Sequence, residues 1–289
     1  MVAIVVRRTQ LTQQFRNPGA VVLDWTVALL GRSTAEWIPA IRGESGDFVY
    51  RRSDGRAYAK AAAMERSSEL AGERDRLLWL HDKGILAPEV IDWCIADEGA
   101  CLIISAIEGI PAADLSAADL LEAWPSMVQQ LGALHALDAG QCPFDRGLAP
   151  MFARAADVVA RDAVNPDFLS IDDQQTPARE LLARVERELP VRLEQETRGR
   201  VVCHGDPCMP NFMIDPRTLR CTGMIDLGRL GTADRYADLA LMTANARESW
   251  TGPDQEERAS AVLFDILGIA APDRARLDFY LRLDPLTWG

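Results

Sequence analysis

Residues 201–228 read VVCHGDPCMPNFMIDPRTLRCTGMIDLG, and this stretch decides how the rest of the chain is understood. His204-Gly205-Asp206 is followed five residues later by Asn211, and a second aspartate, Asp226, sits between the apolar pair Met224-Ile225 and Leu227-Gly228. Phosphoryl transfer needs a carboxylate beside the attacking hydroxyl and oxygen ligands that hold magnesium on the departing phosphates. This one segment supplies all three. Val201-Val202 reads as a strand entering a loop, residues 211–214 as a second strand, Asp215-Pro216 as a turn, and Met224-Ile225 as a third strand ending at Asp226. On that reading the three polar side chains can converge.

HGDPCMPN has the form H-x-D-x-x-x-x-N, and IDLG has the position and polarity of the protein-kinase D-F-G. Together they resemble the aminoglycoside O-phosphotransferases, and residues 34–289 are similar to the streptomycin 3''-phosphotransferase branch of that family. The resemblance implies an α+β, protein-kinase-like two-lobed fold, with a small N-terminal antiparallel sheet lobe carrying one helix and a larger, mainly helical C-terminal lobe. It implies Asp206 as the catalytic carboxylate, Asn211 and Asp226 as magnesium ligands, and ATP with Mg²⁺ as the cofactors. The expected activity is ATP-dependent phosphorylation of an aminoglycoside, streptomycin at its 3''-hydroxyl, giving antibiotic resistance. The alternative is a kinase of the same fold acting on another small cationic alcohol or a different aminoglycoside.

Bulk properties agree with that class. A chain of 289 residues with 48% apolar content can bury a large core. It has no run of 18 or more apolar residues, and its N-terminus places the apolar stretch before the arginines, the reverse of a signal peptide, so a cytoplasmic location is expected. Six scattered cysteines read as reduced thiols there. The net charge of −12 argues against nucleic acid, whose binding depends on Lys and Arg neutralising phosphates, and favours a cationic small molecule. No membrane partner is expected, and the chain is expected to act as a monomer.

Working outward toward the N-terminus, residues 1–33 carry no chemical motif and read as an extension, with a nucleotide-binding lobe over 34–105 and a catalytic and substrate-binding lobe over 106–289. Residues 37–52 and 56–62 read as strands joined by a Ser53-Asp54-Gly55 turn. Gly43, Ser45 and Gly46 form a turn whose backbone N–H groups are expected to approach phosphate oxygens, with Ser45 at the tip. No G-x-x-x-x-G-K-[ST] occurs, which excludes a P-loop.

Only two lysines occur among 31 basic residues, Lys60 and Lys83. Lys60 is expected to end the strand after the hairpin. The next segment, residues 67–82, has helical period, and Glu73 falls on the same face as Leu70, Leu77 and Leu80. A carboxylate buried there is costly without a cation, and Lys60 is the natural partner, matching the Lys–Glu pair that clamps the α- and β-phosphates in kinases. Residues 85–91 and 101–104 read as two further strands. By resemblance the segment after them, with Ala106 and Ile107, links the lobes and meets the adenine edge.

Beyond it, helical periodicity covers residues 117–137, 151–165, 176–196, 235–250, 255–267 and 273–283. His135 reads as packing. Residues 231–240 are expected to open a helix, with Asp238, by resemblance, a buried brace for the catalytic loop. The chain ends LRLDPLTWG, and the resemblance puts Asp284, Trp288 and Gly289 at the aminoglycoside. The residues speak against two other classes. A nucleotide-binding protein without turnover would lack Lys60, Asp206, Asn211 or Asp226, and all are present. A zinc site from Cys203, His204, Cys208 and Cys221 lacks C-x-x-C spacing and a second paired cluster.

Overall fold

The computed structural model describes residues 36–40 and 48–289. The expectations for residues 1–33 and for Gly43, Ser45 and Gly46 lie outside the described residues. The chain forms two compact units: the described residues up to Gly109 together with Thr222–Gly228, and Ile110–Cys221 together with Arg229–Gly289. Among the described residues no helix is long and apolar enough to cross a membrane.

The first unit is a five-stranded antiparallel sheet in the order Trp37–Pro39, Phe48–Arg52, Ala57–Ala63, Gly99–Ser105, Val90–Ala96, with one helix, Ser67–Leu80. Gly55, at φ +75°, makes the turn before Ala57–Ala63. That strand alternates, and the side chains of Ala57, Ala59 and Ala61 are wholly buried. Gly99–Ser105 is buried at every position but the last, as its unbroken apolar run requires. The helix buries Leu70, Glu73, Leu77 and Leu80, one face at helical spacing. Lys60 does not end its strand. It pairs with Val49 and Leu102, and the ladder continues to Ala63. The strand expected over 85–91 begins only at Val90 and runs to Ala96. Pro88 cannot donate to a ladder, and the backbone on either side is engaged elsewhere: Leu86 O accepts Met224 N–H at 2.8 Å, and Glu89 N–H donates to Ser105 Oγ at 2.8 Å.

The second unit is mainly helical: Ala117–His135, Leu148–Ala160, Ala178–Thr197, Arg235–Arg247, Pro253–Ile266 and Arg274–Leu283. Ser116 caps the first of these, its Oγ accepting Asp119 N–H at 3.1 Å, and Leu120, Trp124, Met127, Leu131 and Leu134 form its buried stripe. The helix expected over 151–165 lies earlier, because Asp162 at φ +54° ends the run. The core joins Leu148, Met151 and Ala155 to Tyr236, Ala240, Phe279, Tyr280 and Leu283. Each fully buried leucine there contributes roughly 1.5–3 kcal/mol.

Two small sheets complete this unit. Ile110–Pro111 pairs antiparallel with Phe212–Asp215, the middle strand of three whose third is Arg220–Met224. Asn211 is therefore not in the strand but closes the Met209–Asn211 turn before it, and Ile225 lies past the end of the third. Gly231–Asp234, expected as the start of a helix, is instead a strand paired with Arg200–Cys203 in the register Gly231↔Cys203. The helix starts at Arg235 because Asp234 caps it, accepting Tyr236 N–H at 3.0 Å.

Candidate active site

The Arg200–Cys203 strand, buried from Val201 onward, delivers the chain into His204-Gly205-Asp206. Gly205 sits at φ +87°, and a Cβ there would lie 2.3 Å from the Arg229 carbonyl oxygen, so this position admits glycine alone without rebuilding the turn. Asp238, fully buried on the Arg235–Arg247 helix, holds the turn from below: its Oδ2 accepts His204 N–H at 2.8 Å and its Oδ1 accepts Gly205 N–H at 2.9 Å. His135 Nε2 lies 2.9 Å from Asp238 Oδ2, so the histidine read as packing carries part of this brace. His204 Nδ1 in turn accepts Asp206 N–H at 3.2 Å. Three consecutive backbone donors are thus committed, which fixes the backbone that carries the Asp206 side chain.

Asp206 is half-buried, and Asn211 fastens its backbone, Nδ2 donating to Asp206 O at 2.9 Å. With its amide nitrogen so used, Asn211 has its side-chain oxygen left for a ligand. Burial pushes the Asp206 carboxyl above the ordinary aspartate value, although the bond from the Cys208 thiol and the Arg229 charge pull the other way. A carboxylate made more basic in this way is suited to accept a proton.

The second cluster belongs to the first unit. Lys60 Nζ lies 2.7 and 2.9 Å from the two oxygens of Glu73 and 3.0 Å from Asp226 Oδ1. Burial by itself lowers a lysine, but the two carboxylates outweigh it and raise Lys60 above its ordinary value. The carboxylate on the apolar helix face therefore has its cation. Asp226 stands at φ +61°, a conformation uncommon for a side-chain-bearing residue, with its carboxylate half-exposed. Gly228 follows against the Glu73 side chain, where an added Cβ would meet Glu73 Cβ at 3.6 Å. Asp226 in the first unit and Asn211 in the second each offer an oxygen of the hard type that Mg²⁺ takes. Ala106 and Ile107 follow the Gly99–Ser105 strand: Ala106 N–H donates to Arg56 O at 3.0 Å, and Ile107 lies beside Gly223.

At the C-terminus, Asp284 is 8% exposed and already engaged. Trp288 Nε1 donates to its Oδ2 at 3.0 Å, and the guanidinium groups of Arg146 and Arg229 stand 3.7 and 3.6 Å from its Oδ1. Arg229 covers the Trp288 ring at 4.1 Å, and Phe168 meets the same ring edge-on at 6.0 Å. Arg161 Nη2 reaches the Gly289 carbonyl at 3.4 Å. Arg146 and Arg229 escaped the sequence reading. Arg229 directly follows the Asp226-Leu227-Gly228 motif and was findable by that adjacency, whereas Arg146 lies in a segment with no motif.

None of the six cysteines, all among the described residues, forms a disulfide. Among the described residues, the potential metal ligands that do lie together are His135, Cys203 and Asp238, not the four weighed for zinc. The Asp238 carboxylate is spent on His135 and on the catalytic turn, and burial pushes the Cys203 thiol well up, away from the thiolate a metal needs.

A model of the phosphotransferase enzyme family matches residues 37–280. The streptomycin 3''-kinase of Streptomyces griseus is 47% identical over 273 residues, covering 94% of this chain and 98% of that protein. An aminoglycoside 3'-phosphotransferase of Streptomyces fradiae is 38% identical, covering 86% of this chain and 94% of the relative. Among solved structures, aminoglycoside phosphotransferase APH(3'')-Id from Streptomyces rimosus, in complex with ADP and streptomycin, matches with a TM-score of 0.85 at 46% identity, covering 92% of this chain and 98% of that one. With its family model spanning both units and relatives matched over nearly their full length, the chain belongs to the phosphotransferase enzyme family, among the aminoglycoside phosphotransferases.

Proposed function

We propose that this protein transfers the γ-phosphoryl group of ATP to the 3''-hydroxyl of streptomycin and so confers resistance to it. The likeness to a streptomycin 3''-kinase over almost the whole of both chains carries this reading. Asp206 orients the hydroxyl and accepts its proton as the new oxygen–phosphorus bond forms and the bond to the β,γ-bridging oxygen breaks, releasing ADP. Lys60, held straight by Glu73, places the α- and β-phosphates. Asn211 and Asp226 would hold Mg²⁺, whose contribution when bound is to offset charge on the phosphate oxygens. Gly43, Ser45 and Gly46 are assigned to the phosphates, and Ala106 and Ile107 to the adenine edge.

The antibiotic end is assigned to Asp284, Trp288 and Gly289. Streptomycin carries two guanidinium groups, which suit carboxylates, and the net charge of −12 favours a polycation over an anionic acceptor. Asp284 acts there from beneath, holding Trp288 and Arg229 in place. The test is ADP release over a panel of aminoglycosides, with mass spectrometry and NMR of the product. One added phosphate at the 3''-position of streptomycin, with little turnover of kanamycin-type compounds, is expected. Efficient phosphorylation of kanamycin without streptomycin turnover overturns the substrate and keeps the kinase. Turnover of neither leaves the alternative, another cationic alcohol.

A further inference from the structure

A buried arginine has no part in the roles assigned above. Residues 144–146 run beside the Gly231–Asp234 strand: Phe144 O accepts Thr232 N–H at 2.8 Å, and Arg146 N–H donates to Thr232 O at 3.1 Å. From there the Arg146 side chain enters between two glycines. A Cβ on Gly231 would stand 3.0 Å from Arg146 Cβ, and one on Gly205 would stand 2.6 Å from Arg146 Nε. Arg146 Nη2 donates to the Gly205 carbonyl at 2.9 Å. Its Nε is buried without a partner, and Asp284 Oδ1, 3.7 Å from Nη2, is too far for a hydrogen bond.

This is an expensive placement. A guanidinium taken out of water recovers the cost only where its donors are well met, and here burial and the neighbouring Arg229 pull Arg146 down to about 10. An apolar chain of similar length in its place escapes that desolvation cost, which offsets the loss of the donor to the buried Gly205 carbonyl. What such a chain lacks is the bond to Gly205 O. That carbonyl belongs to the peptide joining Gly205 to Asp206. The His204 and Gly205 N–H groups are fixed by Asp238 and the Asp206 N–H of the same peptide by His204 Nδ1, so the bond from Arg146 is the hold on the carbonyl side of the peptide from which the Asp206 side chain starts.

We propose that Arg146 is a positioning residue for phosphoryl transfer: wedged between Gly205 and Gly231, it fixes the carbonyl side of the Gly205–Asp206 peptide. The inference rests on Asp206 as the catalytic carboxylate of the proposed kinase.

Arg146→Met, Arg146→Lys and Asp206→Ala are compared with wild type for kcat, KM for ATP and Tm, with streptomycin as acceptor. Arg146→Met is expected to keep KM for ATP within about twofold and Tm within a few degrees while kcat falls about 10- to 100-fold, the scale on which misplacement of order 1 Å acts. Arg146→Lys, which keeps the charge and a donor for Gly205 O, is expected to recover part of the loss. Wild-type kcat in Arg146→Met overturns the proposal, as does a loss that follows Tm with no recovery in Arg146→Lys. If Arg146→Met does not fold, Arg146→Gln, too short to reach that carbonyl, replaces it and is judged on the same outcomes. Turnover retained in Asp206→Ala removes Asp206 from the chemistry and so brings down the reading this inference rests on, whereas an inactive Asp206→Ala beside a fully active Arg146→Met brings down only this inference.

Discussion

The Asp238 carboxylate accepts the backbone N–H of Gly205 at 2.9 Å from a position with no solvent exposure, so a charge on one helix holds the turn that presents Asp206. Burial opposes that charge, but the bond from His135, the nearby His204 and the Gly205 N–H overcome it and hold the carboxyl below its ordinary value. A depressed carboxylate contributes stability above its unfolded pKa, about 3.9, and that contribution is lost as pH falls through the folded value. Asp238→Asn is therefore expected to unfold at lower urea than wild type at pH 7, by about 2 kcal/mol or more, with the difference shrinking below about pH 4. A gap that does not change with pH would mean that shape, not charge, holds the turn.

Asp206→Ala removes the carboxylate proposed to meet the hydroxyl without touching a residue assigned to ATP. Its kcat is expected to fall about 10²–10⁴-fold with ATP affinity little changed. Retention of more than about a tenth of wild-type kcat would remove Asp206 from the chemistry.

The depth at which this site could be read from residues alone differs from part to part, for physical reasons. His204, Asp206 and Asn211 lie within eight residues, so local spacing carries their chemistry. The Lys60–Glu73 pair is separated by 13 residues, but a carboxylate among Leu70, Leu77 and Leu80 needs a cation, and the chain has only one other lysine. The Gly231–Asp234 strand was hidden because its four residues are too short for a period, and its exit into a helix imitates a helix start. Arg146 was out of reach for another reason. It lies 59 residues from Gly205, and its meaning comes from two glycines and a carbonyl that only tertiary structure assembles around it.

Lys60 bridges two carboxylates, so its removal acts both on the nucleotide and on the first unit's packing. Lys60→Ala is expected to raise KM for ATP well beyond any change in KM for streptomycin, and to lower stability because Glu73 is left buried without its cation, a loss of up to about 3–5 kcal/mol for a fully buried pair. Lys60→Arg should restore stability better than KM, since the guanidinium is larger and planar and does not reproduce a compact ammonium. Equal effects on both substrates would make Lys60 structural.

Asp226 keeps a half-exposed carboxylate beside Lys60, an oxygen donor of the hard type that Mg²⁺ takes. Chelation of divalent ions is expected to stop turnover of the wild-type enzyme. Asp226→Ala should require far more Mg²⁺ for its residual rate than Asn211→Ala does, because it loses a full charge and the amide does not. An Mg²⁺ titration of Asp226→Ala that overlays wild type would put the metal on other residues.

The two substrates carry opposite charges, and a protein of net charge −12 must treat them differently as salt is added. A cationic aminoglycoside is drawn to this surface, and screening shortens the range of that attraction from about 30 Å at 0.01 M to about 8 Å at 0.15 M ionic strength. ATP approaches against the net charge, so screening does not weaken its encounter. KM for streptomycin is therefore expected to rise severalfold over that range, and KM for ATP to stay level or fall, when both are measured by ADP release at fixed free Mg²⁺. If KM for streptomycin held constant while KM for ATP rose, the long-range field would have no part in choosing the acceptor. The selectivity would then lie in short contacts at the Trp288 end of the chain, where Phe168 and Arg229 already meet the ring.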